Sequence, residues 1–137
     1  MKNNVLPLSL LAALAVSAGC RALPEPVCES RLLAPVVRAV GPRRAALNQV
    51  VSYALDVKLG NSCGVFDTVV VSAGDNLVGP FTQQIGVRGH YTGCSCLSDT
   101  MTVTPTTYQF QPTKAGIYYL RFLSRQSRFI TDTLVVQ

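Results

Sequence analysis

A strict alternation of apolar and polar residues over nine positions is the feature that most restricts the fold of this chain. Large apolar side chains occupy every second position: Val51, Tyr53, Leu55, Val57 and Leu59. Side chains of a β-strand point alternately to the two faces of a sheet, so this period of two predicts a strand with one face in a core. Beyond the N-terminal leader, helical periodicity is nearly absent, which favours an all-β fold.

Further short apolar segments, separated by turns rich in Gly, Asn and Asp, predict the remaining strands. They cover residues 35–40, 65–72, 81–87, 100–104 with 107–110, 117–123 and 129–136. The segment 65–72 is rich in β-branched residues, which predicts a central strand buried on both faces. A chain of 137 residues has room for one domain. About seven short strands in one domain are typical of an antiparallel β-sandwich.

The N-terminus has the three regions of a secretory signal peptide. Lys2 supplies the positive start, residues 5–16 are almost wholly apolar, and small residues follow. The apolar part is shorter than the about 20 residues of a membrane-spanning helix. The sequence Ser17-Ala18-Gly19-Cys20 resembles the lipobox of bacterial lipoproteins, with Ser17 in place of the usual Leu, Val or Ile. The resemblance implies cleavage before Cys20 and acylation of this residue, which would anchor the mature chain in a membrane.

Ordinary signal-peptidase cleavage after Ala18 is the alternative, because residues 16–18 form a small-x-small site. Cysteine parity favours lipidation, since acylation of Cys20 leaves an even number of cysteines to pair. Arg21 follows, where Asp would resemble the inner-membrane retention signal of enterobacteria. We therefore expect an outer-membrane lipoprotein that faces the periplasm. The domain organisation is then a signal peptide over 1–19, a lipid-anchored tether over 20–34 and a β-sandwich domain over 35–137.

Four cysteines in an exported domain predict two disulfides. They are Cys28, Cys63, Cys94 and Cys96. Cys94 and Cys96 would lie on one face of a strand, about 7 Å apart, so a bridge between them needs a strained turn. We expect each to pair with a different partner, and which of them takes Cys28 stays open. The alternative is a periplasmic Cu or Zn site made by Cys63, His90, Cys94 and Cys96, although its spacing is unlike paired C-x-x-C zinc knuckles.

The segment Phe110 to Phe122 resembles the corner between strands E and F of immunoglobulin-like domains. In that family a polar residue is followed by Gly or Ala, then Tyr, then a core residue two positions later. Here Gly116, Tyr118 and Leu120 take those positions. The resemblance implies an immunoglobulin-like sandwich in which the Tyr118 hydroxyl bonds back to the backbone. The chain departs from the family in its cysteine positions and in having no Trp, whose place Phe66 could fill; another sandwich or a small barrel is the alternative.

Enzyme motifs are absent from the sequence: it has no G-x-S-x-G, no H-E-x-x-H, no glycine-rich phosphate loop, and His90 is its one histidine. We therefore expect a non-enzymatic protein without catalytic residues, cofactor or bound metal. The basic residues show no interleaving with aromatics on one helix or loop, which argues against nucleic acid. A local basic cluster fits either an anionic envelope surface or a charged strand edge: Arg31, Arg38, Arg43 and Arg44.

The least regular segment, residues 76–98, is the candidate binding loop. It contains Phe81, His90 and Tyr91 together with two cysteines. Recognition in sandwich domains usually lies on loops and edges, so we expect these three side chains to contact a partner. The alternative is that this segment is only a long connection between strands, held by disulfides and binding no ligand. The sequence thus predicts a lipid-anchored cell-envelope protein with a binding or structural accessory role, its partner a protein or an envelope polymer.

Overall fold

The computed structural model describes residues 27–73, 79–98 and 102–137, and it contains nine β-strands within these ranges. No helix with the length and apolar character of a membrane span occurs in them. The predicted signal peptide and Cys20 lie outside the described residues. The strands are β1 (Glu29–Ala34), β2 (Val36–Val40), β3 (Arg44–Ala45), β4 (Val51–Lys58), β5 (Gly64–Ala73), β6 (Thr82–Thr92), β7 (Val103–Phe110), β8 (Gly116–Arg125) and β9 (Arg128–Val136).

The strands form two sheets, which confirms the predicted all-β sandwich. The smaller sheet has the order β2-β4-β7, and the larger contains the other six strands. Strand β6 is the centre of the larger sheet because it pairs with β5, β1 and β8. Strand β9 follows β8, and the short β3 lies beyond it. Most pairs are antiparallel, as expected, but β3 with β9 and β6 with β8 are parallel.

Strand β6 has three partners on two sides, and this arrangement shapes the molecule. Strand β5 pairs with residues 83–91, nearly the full length of β6. Strands β1 and β8 therefore share the opposite side: β8 pairs with residues 82–85 and β1 with residues 87–92. The sheet is forked at Gly86, where one neighbouring strand ends and the other begins.

The core lies between the two sheets and is lined by alternate residues of β4, β6, β8 and β9. The predicted alternation in β4 is confirmed, because Val51, Tyr53, Leu55 and Val57 are buried and the residues between them are more exposed. The Tyr53 ring lies 5.6 Å from that of Phe122, centroid to centroid. Full burial of an apolar side chain of this size contributes about 1.5 to 3 kcal/mol, so this layer stabilises the sandwich.

The corner before β8 has the bond that the immunoglobulin resemblance implied. The Tyr118 hydroxyl donates to the Lys114 carbonyl at 2.9 Å and accepts from the Lys114 N–H at 3.2 Å. Gly116 has a φ of 146°, and a Cβ there would lie 2.8 Å from the Phe81 ring. Leu120 is fully buried. The corner therefore depends on a glycine that tolerates this backbone and on a tyrosine that closes it.

Strand β1 corrects the predicted domain boundary. Residues 29–34 were expected in the tether, but they form a strand that pairs with β6, and Cys28 is bridged to Cys94. Only Ala34 of this strand is buried. Backbone pairing and the Cys28–Cys94 bridge hold β1 in the sheet. Neither requires alternating apolar residues, so the strand has no pattern that could be recognised in the sequence.

Strand β5 corrects the prediction of a central strand buried on both faces. It lies at an edge of the larger sheet and pairs with β6 alone. Val65, Phe66, Val70 and Val71 are between 40% and 57% exposed. β-branched residues suit edge strands and central strands alike. Local composition therefore does not encode whether a strand has a second pairing partner or a layer packed on each face. Phe66 therefore does not take the place of a core Trp.

Two further boundaries differ from the prediction. Strand β6 continues to Thr92, so residues 88–92 of the expected loop over 76–98 are strand. Strand β7 runs without interruption through Pro105, which pairs with Asp56. Strand β7 is at an edge of its sheet, where a residue without an N–H donor is tolerated.

Candidate functional site

Two of the three predicted binding side chains belong to the core instead. Tyr91 is 7% exposed, and its hydroxyl accepts a hydrogen bond from the Gly60 N–H at 3.2 Å. The Phe81 ring stacks on Tyr118 with centroids 4.9 Å apart. Because β6 extends to Thr92, Tyr91 falls on the same inward face as Ile85. The structure therefore places Tyr91 and, in part, Phe81 against the core rather than on an exposed loop.

His90 lies on the outer face of β6, within a network of charged side chains. Its Nε2 is 2.8 Å from Glu29 Oε1, and the same oxygen is 3.2 Å from Arg31 Nη2. Asp67 Oδ2 lies 2.7 Å from Arg88 Nε and 3.9 Å from Arg31 Nε. Partly exposed ion pairs of this kind contribute at most about 1 kcal/mol each. The network joins β1, β5 and β6 side by side and leaves His90 engaged with a carboxylate.

The cysteines form the two bridges Cys28–Cys94 and Cys63–Cys96. Cys94 and Cys96 therefore take different partners, as expected, and the structure decides which takes which. Bridged sulfur atoms carry no thiolate, so the predicted four-ligand metal set would require both bridges to be reduced. In the described ranges no group of three or more His, Cys, Asp or Glu side chains is placed to hold a metal ion.

The four arginines of the predicted cluster lie in three separate places in the fold. Arg31 is on β1 and pairs with Glu29, whereas Arg38 is on β2 in the other sheet and lies 3.6 Å from Asp56. Arg43 and Arg44 lie beside β9, where Arg44 pairs with Val135 in the backbone register. Proximity in sequence does not bring these guanidinium groups together into one anionic-surface site.

A groove of about 750 Å³ lies beside the fork in the sheet, between the end of β1 and the end of β8. One wall comes from Leu33, Ala34 and Pro35 at the end of β1. The other wall is Leu123 and the β8–β9 turn, residues 125–128. Because β1 takes the place beside β6 that a longer β8 would have occupied, the β8–β9 hairpin stands away from the sheet. The groove is the gap that this divergence leaves.

A smaller depression of about 140 Å³ lies next to the groove on the outer face of the sheet. Leu33 and Leu123 line both depressions, and Val70 and Phe129 extend the apolar surface. Gly86 forms part of its floor, and a Cβ at this position would lie 3.2 Å from Leu33 Cδ2. The missing side chain at Gly86 lets Leu33 lie across the fork in the sheet.

Arginine side chains give one end of the groove a positive charge. Arg125 and Arg128 line it, and the Arg121 guanidinium lies 4.2 Å from the centroid of the Phe129 ring. Among the described residues, no Asp or Glu lines either depression. In the same part of the chain, no carboxylate oxygen lies within 4 Å of a side-chain nitrogen of Arg125 or Arg128. The described site combines an apolar surface with positive charge at one end.

Sequence reasoning missed this site because its residues come from four separate segments of the chain, in β1, β5, β6 and the β8–β9 hairpin. The sequence predicts Leu33 in the tether and Leu123 and Phe129 in strands, and it assigns the two arginines to no element. The signals present were the exposed pair Leu32 and Leu33 and the two arginines that flank the 126–127 turn. Only the shared side of β6 brings them together.

The groove is the feature of the described chain that best suits a ligand. Ligand pockets typically measure about 300 to 1,000 Å³ and combine apolar walls with a few polar groups, as this one does. No protein-family model, curated protein or solved structure matches the chain. Function is therefore inferred from the residues of this chain alone.

Proposed function

We propose that this chain is a lipid-anchored cell-envelope protein with a non-enzymatic binding role. The leader, the lipobox-like segment before Cys20 and the two disulfides support an exported, membrane-anchored protein. The periplasmic face of the outer membrane is the proposed location. The observation that carries the binding role is the groove between β1 and the β8–β9 hairpin, with its apolar walls and its arginine end.

The position of Cys28 limits how far the proposed anchor could lie from the domain. Cys28 follows Cys20 by eight residues, and an extended chain of that length reaches at most about 29 Å. Cys28, which immediately precedes β1, is bridged to Cys94. An acylated Cys20 would therefore hold the disulfide end of the sandwich close to the bilayer surface.

The corner supports an immunoglobulin-like relationship for the domain. The bond pair between Tyr118 and Lys114 has the geometry of the tyrosine corner of that family. The parallel pairing of β6 with β8 departs from the family's antiparallel sheets. The proposal is thus a sandwich of this general type, with its own strand order in the larger sheet.

Replacing Cys20 tests the proposed anchoring. We expect Cys20→Ser to remove the protein from the membrane-extracted, acylated fraction, because the acceptor of the lipid is lost. Intact-mass measurement of the wild-type protein should give a chain that begins at Cys20 and carries acyl groups. Ser17→Leu, which introduces the usual lipobox residue, is the matched control and should remain acylated. An unacylated wild-type chain, or a Cys20→Ser protein that still fractionates with membranes after processing, would overturn the anchoring.

A further inference from the structure

We infer that the groove binds an anionic single-chain amphiphile, a long-chain alkyl carboxylate, with the carboxylate at Arg125 and Arg128. The inference rests on the proposed binding role and names the ligand class for the same site. Three properties of the site support it: the adjacency of its two depressions, its exposed apolar surface, and the arginines at one end, which have no acidic neighbour among the described residues.

The adjacency of the two depressions favours an elongated ligand. Leu33 and Leu123 line both the groove of about 750 Å³ and the smaller depression of about 140 Å³, so the lining side chains of the two form one apolar path on the outer face of the sheet. The side chain of Leu33 lies over Gly86, where a Cβ would be 3.2 Å from Leu33 Cδ2. A compact polar molecule would fill the groove alone, whereas an alkyl chain can cover the apolar residues of both depressions.

The apolar surface of the path is open to solvent in the described protein. Leu33 is 56% exposed and Val70 is 41% exposed, and both lie on the outer face of the larger sheet. Exposed apolar side chains that line one concave path differ from single scattered ones, because a ligand can cover them together. Covering them with methylene groups removes apolar area from water, at about 0.8 kcal/mol for each buried methylene.

The charge at the end of the path selects an anion. Arg125 and Arg128 flank the hairpin turn and line the groove, whereas Arg31, Arg38 and Arg88 already have acidic neighbours. A guanidinium group pairs with a carboxylate through two parallel hydrogen bonds, which suits a single terminal carboxylate. Arg121, stacked on Phe129, adds positive charge beside the apolar path.

Direct binding of dodecanoate tests the inference. The protein is the full oxidised chain carrying Cys20→Ser, purified without detergent, and binding is followed by displacement of a fluorescent alkyl carboxylate. We expect saturable binding that weakens at least tenfold for dodecanol, which has the same chain without the charge. The double variant Arg125→Gln with Arg128→Gln should also weaken dodecanoate binding at least tenfold and leave dodecanol binding within about twofold, because only the charge interaction is lost.

Matched controls separate the groove from general surface effects. Arg43→Gln with Arg44→Gln removes the same charge outside the groove and should leave dodecanoate binding within twofold. Leu123→Asn should weaken the binding of both ligands, whereas Ile117→Asn, at an exposed position of the same strand outside the groove, should not. Thermal unfolding of each variant confirms that it is folded.

The outcomes for the ligand and for the anchor are distinguishable. Absence of saturable dodecanoate binding, or equal losses for the two arginine pairs, would overturn the ligand inference. If Cys20→Ser also releases the protein from membranes, the anchoring would stand. Specific dodecanoate binding by the Cys20→Ser protein, together with a wild-type chain that proves unacylated at Cys20, would support the ligand inference and overturn the anchoring.

Discussion

At the scale of single residues, one oxygen atom closes the corner before β8. The Tyr118 hydroxyl is both a donor to and an acceptor from the backbone of Lys114. The Tyr118 ring is nearly buried and stacks on Phe81. Loss of this hydroxyl would leave two backbone groups of a part-buried turn without this partner, which costs more than the bond alone contributes.

We therefore expect Tyr118→Phe to lower the free energy of unfolding by about 1 to 2 kcal/mol. Urea titration of the oxidised protein measures this difference. Tyr119→Phe is the matched control, because Tyr119 is less buried, and it should change the same quantity by less than about 0.5 kcal/mol. Equal effects of the two substitutions would mean that the corner bond does not stabilise the domain.

The residue scale also shows what local sequence can and cannot reveal. The role of Tyr118 was predictable, because its hydrogen-bond partner is four residues away and the spacing forms a motif. The contact of His90 with Glu29 was not, because these residues are 61 positions apart and meet only through the pairing of β1 with β6. A side chain whose partner is distant in sequence could be identified as polar but not assigned a contact.

At the scale of elements, β1 packs only weakly against the core. One of its six residues is buried. Backbone pairing with β6 and the Cys28–Cys94 bridge hold it in the sheet. Since β1 forms one wall of the groove, its attachment also determines whether that groove exists.

Removal of the bridge tests this dependence. We expect Cys28→Ser with Cys94→Ser to lower the free energy of unfolding by about 2 to 4 kcal/mol and to accelerate amide hydrogen exchange throughout β1. Removing the other bridge with Cys63→Ser and Cys96→Ser is the control. It should destabilise the protein comparably but preserve the protection of β1 relative to the remaining strands. Similar exchange in β1 for both variants would show that the Cys28 bridge does not retain this strand.

At the scale of the whole molecule, two buried tyrosines link stability to alkaline pH. Burial raises the pKa of Tyr53, with additional contributions from the negative charge of Asp132 and from Tyr108, and burial also raises the pKa of Tyr108. The Tyr53 hydroxyl lies 3.1 Å from the Pro42 carbonyl oxygen, its hydrogen-bond acceptor. The folded protein therefore retains these phenolic protons at a pH at which the unfolded chain releases them.

The sign of the effect follows from this difference. The stabilisation is complete below the unfolded tyrosine pKa of about 10 and is lost as the pH rises through and beyond it. We expect the free energy of unfolding to fall above about pH 10, by up to about 1.4 kcal/mol per pH unit for each tyrosine. Urea titrations at about pH 8 and pH 11 measure the fall.

Tyr53→Phe identifies the source of this pH dependence. The variant should be less stable at neutral pH, because the bond to Pro42 is lost, but its stability should fall less steeply at alkaline pH. An identical slope in wild type and Tyr53→Phe would exclude Tyr53 as a contributor.

The whole molecule also shows where sequence prediction ended. Alternation in β4 and the turn residues were sufficient to predict the sandwich, because these patterns lie within short segments. The number of cysteines was sufficient to predict two disulfides. The order of strands around β6 was not predictable, since the β-branched composition of β5 suits an edge and a central strand equally. The groove depends on that order, which is why none of its residues appeared among the candidate site residues.

The Cys28–Cys94 bridge also determines how a mechanical load on the N-terminus enters the domain. A pull on the chain before Cys28 passes through the covalent bridge to Cys94, just beyond the end of β6. It therefore bypasses the hydrogen bonds of β1, which a peeling force would otherwise break one after another. The load is delivered to the strand that three neighbours support. A domain held from its N-terminus is in this way tethered by its central strand rather than by its first one.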